Sequence, residues 1–177
     1  ALMSPPTGPF DSLREYVAAL EAHGRLLRIA EMDQDRFEAT GFAYRMIEEM
    51  GYHAAPAFLI RKIRTGGRWL DGPVLGNLYP GWLAEALAYG VPDIAADDRN
   101  LYRATREHLA ARLGADGRWP CIPPRDVGRD DAPVKEVVAL DADADLLQFP
   151  WLQTNPGDAG PYITAGTVFM EDPELGR

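Results

Sequence analysis

Pro156-Gly157-Asp158-Ala159-Gly160-Pro161-Tyr162-Ile163-Thr164-Ala165-Gly166 decides how this chain is to be read. Gly, Asp and Pro in close succession make a turn whatever the function. Glycine reaches positive φ, aspartate hydrogen-bonds its own backbone, and proline presets φ. Tyr162 then opens a predicted strand over 162–170, built first from small residues. A glycine such as Gly166 weakens a strand interior and marks close approach of a ligand or another backbone. The run is therefore either a plain turn and strand or one wall of a ligand site. Only eleven residues follow Gly166, so a site on this wall would take most of its residues from elsewhere.

Upstream of the turn, Phe149-Pro150-Trp151-Leu152 reads as an apolar anchor. An acidic turn or short helix is expected over 141–148, and a strand over 134–140. Residues 120–133 contain four prolines, Gly128 and interspersed Arg and Asp, so they cannot bury a continuous apolar face and read as a linker. The N-terminal part is richer in regular structure. Ser12 and Glu15 form an S-x-x-E capping box, Leu13, Tyr16, Val17 and Leu20 supply an apolar stripe, and Gly24 stops the helix. A short strand is expected over 25–30. A helix over 35–50 follows, with Phe37, Tyr44, Ile47 and Met50 on one side and Gly51 as its stop. A strand over 57–63 leads through Thr65-Gly66-Gly67, a hairpin turn, into a return strand over 68–78. Asp71-Gly72-Pro73 interrupts that strand and marks an edge or a bulge. Helices over 81–89 and 98–113 complete the set. The fold class is α+β, with helices on a small mixed sheet. Residues 1–119 form the first domain, 120–133 the linker, and 134–177 an incomplete, mostly β second part.

Composition narrows the function. The 177 residues are 46% hydrophobic and 25% charged, ordinary globular values. The formal net charge is −9 and no segment concentrates Lys and Arg, which argues against nucleic-acid or anionic-membrane partners. No apolar run approaches the roughly 20 residues of a membrane span. The start carries no signal-peptide pattern, and the single Cys121 forms no internal disulfide, so a cytoplasmic protein is the expectation.

Candidate chemical residues are few. His23, His53 and His108 carry no metal-ligand spacing and read as surface or helix-end residues. Cys121 has no neighbouring base and reads as inert. Asp141, Asp143 and Asp145 lack the glycine and closing Glu of an EF-hand loop, so they read as a solvated cap. Gly66-Gly67 and Gly72 match no phosphate loop.

Several motifs in order resemble the UbiD family of reversible, non-oxidative decarboxylases. Ser12-Leu13-Arg14-Glu15-Tyr16 through Gly24-Arg25-Leu26-Leu27-Arg28-Ile29 is similar to the family's opening helix and strand. Gly72-Pro73-Val74-Leu75-Gly76-Asn77-Leu78 resembles its "PVLGN" strand, and Asp145-Leu146-Leu147-Gln148-Phe149-Pro150 its "DLLxxP". The run 157–166 resembles "GDGGPYITAG", and Asp172-Pro173-Glu174-Leu175-Gly176-Arg177 resembles "DPxTGR". The match spans nearly the whole chain but only the N-terminal third or so of a typical member. It departs at Asn155, where the family often has His, and at Ala159, which replaces a glycine. Both departures leave the substrate open.

The resemblance implies that 134–177 opens a flavin-binding split β-barrel domain. It implies prenylated FMN, Mn2+ or Mg2+, and K+ as cofactors, bound mostly by residues outside this chain. Thr164, with Ile163 and Gly166, maps onto a strand lining the flavin and substrate pocket. No residue here corresponds to a family catalytic acid, base or metal ligand. The expected partner is the remainder of a UbiD-like polypeptide or a complementary subunit, in a dimeric or hexameric assembly acting on an aromatic or α,β-unsaturated carboxylic acid. A non-catalytic partner that completes another chain's sheet is the alternative.

Overall fold

The computed structural model describes residues 6–92, 98–163, 166 and 174. Helix α1, Leu13–Ala22, starts where Ser12 Oγ accepts the Glu15 amide. The Glu15 carboxylate reaches back to the Asp11 amide at 3.1 Å, one residue before the partner a strict capping box would use. Gly24, at φ 67°, turns the chain out of the helix, as a left-handed C′ glycine does. Tyr16, Val17, Ala19 and Leu20 are buried, whereas Leu13, expected in the same stripe, is exposed.

Strand β1, Leu26–Asp33, runs three residues beyond its predicted end. The expected helix over 35–50 is broken near its start. Gln34–Arg36 form one turn of 3-10 helix, Phe37 takes φ 57°, and α2 runs from Glu38–Met50. Its buried stripe is also displaced. Ala39 and Met46 are buried, with Phe42, Ala43 and Ile47 against them, while Tyr44 and Met50 lie exposed. The physical reason is periodicity: positions 39, 42, 43, 46 and 47 share one face at helical spacing.

Strands β2, Ala57–Thr65, and β3, Arg68–Gly76, complete a three-stranded sheet in the order β1-β2-β3. β1 pairs parallel with β2 and β2 antiparallel with β3, so the sheet is mixed, as expected. The ladder between β2 and β3 shifts register between Ile60 and Lys62, opposite the Asp71-Gly72-Pro73 interruption. That interruption is both a bulge and a sheet edge.

Both faces of central β2 are covered. Phe58, Ile60 and Ile63 pack on the α2 side, and Ala57 on the side of α1 and α3, Gly81–Ala88. Alternation along the strand gives the two faces, the register shift after Ile60 returns Ile63 to the face of Phe58 and Ile60, and each fully buried Ile contributes about 1.5–3 kcal/mol. Helix α4, Asp98–Ala110, packs Leu101 against Ala86 and Val91. It ends before the predicted 113, and residues 111–113 continue only as turns. No described helix is long and apolar enough to cross a membrane.

Beyond α4 the described residues are largely irregular. The strand expected over 134–140 does not form: Pro133–Lys135 is a 3-10 turn and the remainder is irregular. A strand needs a neighbouring edge to satisfy its backbone groups, and none of the described strands pairs with this stretch. The acidic segment behaves as expected, with 3-10 turns at Asp141–Asp143 and Leu146–Gln148, the second capped by Asp145. Most of the strand expected over 162–170 lies outside the described residues.

Candidate functional site

Residues carrying the sequence motifs act mainly as fasteners. The Arg25 guanidinium donates to the carbonyls of His53 at 2.5 Å, Ala54 at 3.2 Å and Pro80 at 3.4 Å, tying β1 to the loops before β2 and α3. Gly76 lies under the Phe58 ring, and an added Cβ would overlap it. Asn77 takes φ 49° and its amide donates to Ala55 and Pro56 carbonyls, at 3.2 and 3.0 Å. Tyr16 donates its hydroxyl to the Leu78 carbonyl at 2.5 Å. Burial pushes the Tyr16 phenol well above its usual range, with Tyr79 and Glu85 adding to the effect.

The candidate wall lies against this scaffold. Leu152 packs on the α2 side of the sheet, and its carbonyl accepts the Tyr162 amide at 3.2 Å, so the two limbs of the glycine turn form one antiparallel bridge. Between them the Asp158 carboxylate accepts the Asn155 amide at 2.8 Å and the Thr154 hydroxyl at 3.2 Å. Thr154 also hydrogen-bonds the Tyr162 hydroxyl. The Asn155 amide, then the Thr154 and Tyr162 hydroxyls, hold the Asp158 carboxyl below the usual carboxylate range. Asp158 therefore orders its own turn, the bland role that Gly-Asp-Pro composition suggested.

Of the three expected pocket residues, Ile163 is 59% exposed and Gly166 is exposed close beside it. A Cβ on Gly166 would stand 2.9 Å from Ile163 Cγ2, so the small residue permits that approach. Thr164 lies outside the described residues. His23 is the α1 C-cap and hydrogen-bonds Pro6, His108 sits in the last turn of α4, and exposed His53 packs between Tyr52 and Trp82. Cys121 is exposed. Among the described residues, no group of three or more His, Cys, Asp or Glu could hold a metal ion.

Sequence reading missed Gln34. It is 3% exposed, and its amide nitrogen donates to Thr40 Oγ1 and to the Gln153 carbonyl, both at 2.9 Å. Its amide oxygen accepts the Ala39 amide at 3.2 Å. No local pattern announces a partner 119 positions away. A glutamine just before a predicted helix reads as a solvated residue.

Comparison with known proteins matches residues 125–177 to the family model for the 3-octaprenyl-4-hydroxybenzoate carboxy-lyase Rift-related domain, UbiD. The chain is 27% identical over 168 residues to a phenolic acid decarboxylase of Streptomyces sp. (strain D7), covering 93% of this chain and 32% of that one. Two solved structures of the Sedimentibacter hydroxybenzoicus vanillic acid decarboxylase in open form are also similar. The one with truncated ShVdcD superposes at TM-score 0.67 with 28% identity, covering 93% of this chain and 32% of that one. The other gives 0.66 with 26% identity, covering 87% of this chain and 30% of that one. The chain thus spans about a third of the length of the relatives it matches. These findings bear out the resemblance read from the motifs: the chain is related to the UbiD family of carboxy-lyases.

Proposed function

We propose that this chain is the N-terminal part, or a separate subunit, of a UbiD-like enzyme. That enzyme reversibly removes carbon dioxide, without oxidation, from an aromatic or α,β-unsaturated carboxylic acid. One observation carries the reading. Within the segment matched by the Rift-related family model, the described residues expose aliphatic side chains, including Val134 at 81%, Val137 at 85% and Leu140 at 68%. Their β-branched valines suit a strand, and an unpaired strand-forming segment is a template for another strand. The remainder of a UbiD-like polypeptide, or a complementary subunit, would supply the pairing edge, within a dimeric or hexameric assembly. On this reading 1–119 is a scaffold domain, 120–133 a linker, and 134–177 the opening of a flavin-binding domain.

Ile163 and Gly166, with Thr164, would line the face toward prenylated FMN. The exposed isoleucine offers an apolar face for a flat ring to lie against. When bound, the flavin supplies the electron sink that decarboxylation requires. Mn2+ or Mg2+, and K+, do not fit the described residues by themselves, which offer no cluster of ligands. They would be held by residues outside this chain. The chain's own part is to bind, to place the wall and to keep the cleft between the domains in shape.

The test is reconstitution. The 177-residue chain, supplied with prenylated FMN and an aromatic acid, is expected to release no carbon dioxide. Assembled with the complementary two thirds of a UbiD-like enzyme, it is expected to retain flavin absorbance and to turn over. Turnover by the isolated chain would refute the reading, and so would a stable assembly that holds no flavin. The second result would favour the non-catalytic partner.

A further inference from the structure

Three side chains of the N-terminal layer reach across the chain to three backbone carbonyls of one segment. Gln34 donates to Gln153 at 2.9 Å, Thr65 to Trp151 at 3.0 Å, and Arg68 to Leu147 at 2.7 Å. We infer that Gln34, Thr65 and Arg68 form a clasp that sets the position of the glycine turn and of the wall that follows it. The functional meaning rests on the proposed role of Tyr162 to Gly166 as a pocket wall.

The three donors sit on a rigid base. Asp35 accepts the amides of Gly66 and Gly67, each at 2.8 Å, and so locks the β2–β3 turn to the 3-10 turn that carries Gln34. Arg64 adds an ion pair to Asp33 at 3.0 Å. The recipients are equally ordered. Carbonyls 151 and 153 are two residues apart, so in extended chain they face the same way, while Leu152 between them enters the core. The Leu152 carbonyl is then free to take the Tyr162 amide. Displacing the segment by one residue would remove Leu152 from its place and break both bonds together.

Gln34 is the central positioning residue. A buried amide needs partners for its donors and acceptor, and Gln34 uses one donor on a residue of the far segment. The same three bonds go to main chain only. The clasp therefore fixes where the segment lies without constraining its side chains, which leaves the pocket-facing residues free to differ.

The experiment compares Thr65→Val and Gln34→Met, singly and together, in the full 177-residue chain and in the reconstituted assembly. Thr65→Val keeps shape and strand preference, so it tests the clasp even where Gln34→Met disturbs folding. Methyl NMR reads cross-peaks from Leu152 to the Ala39–Ile63 cluster, with cross-peaks inside that cluster as the internal reference. The expected result is at least a fivefold loss of the Leu152 cross-peaks in the double variant, with the reference retained. Unchanged Leu152 cross-peaks would overturn the clasp, as would a parallel loss of the reference, since that is general destabilisation. Flavin mononucleotide retention by the assembly is the separate readout of the wall. Loss of Leu152 contact with full flavin retention leaves the clasp standing and refutes the wall.

Discussion

Gly76→Ala pits backbone propensity against packing, and the structure decides the sign. Glycine in a strand ordinarily destabilises by roughly 0.5–1 kcal/mol relative to alanine. On that ground alone the substitution should help. At this position an added Cβ would overlap the Phe58 ring, lying 2.6 Å from Cε2 and 2.7 Å from Cε1, against about 3.5–4.0 Å for a relaxed carbon contact. Phe58 is only 4% exposed and meets Phe42 edge-on, with ring centroids 5.3 Å apart and planes at 88°. The ring can yield only by disturbing the α2 side of the core. Overpacking of this kind costs about 1–3 kcal/mol, which outweighs the propensity gain. The expected outcome is a lower urea midpoint with an unchanged slope, by roughly 1 M for a slope of about 1–3 kcal/mol/M. Adding Phe58→Leu should relieve the overlap, so the double variant is expected to fall short of the summed losses by about 1 kcal/mol or more. A Gly76→Ala midpoint equal to or above that of the parent would refute the packing argument, and with it the physical reason offered for glycine in the "PVLGN" motif.

Asn77→Ala removes two hydrogen bonds to buried-side carbonyls and places alanine at positive φ, so a loss of about 1–3 kcal/mol is expected by the same denaturation. Tyr16 has a folded-state pKa above its unfolded value. Its contribution is therefore complete below about pH 10 and declines as pH rises above that, because the unfolded chain ionises first. Urea midpoints should fall across that alkaline window, and Tyr16→Phe should flatten the fall while lowering the stability at neutral pH by about 1 kcal/mol. Asp158 has the opposite sign. Its pKa is depressed, so the order of its turn should persist above about pH 4 and be lost as pH falls through that range and below. Tyr162 ring resonances that stay constant down to the acid limit, or that respond identically in Asp158→Asn, would contradict the assigned role.

Elements with a local cause were legible in the sequence. Ser12 and Gly24 bracket α1 because a cap and a left-handed stop are properties of a few adjacent residues. Thr65-Gly66-Gly67 makes the hairpin, and Asp71-Gly72-Pro73 the bulge, for the same reason. The α2 stripe was misjudged because two apolar series coexist between 37 and 50, and only the sheet selects the one containing Ala39 and Met46. The 134–140 segment has a strand's β-branched composition but pairs with none of the described strands, so its sequence states a preference that needs another strand to be realised.

The order of motifs along the chain was enough by itself to show its resemblance to the UbiD carboxy-lyases, and the Gly-Asp-Pro composition to place a turn before Tyr162. Composition and spacing are one-dimensional, and a turn or a cap needs nothing more. Tertiary structure alone decided what those motif residues do: Gly76 makes room for a ring, Asn77 bridges two carbonyls, and Gln34 holds a segment 119 residues away. Such roles arise from contacts closed only when distant strands come together, and no local pattern encodes the partner at the other end.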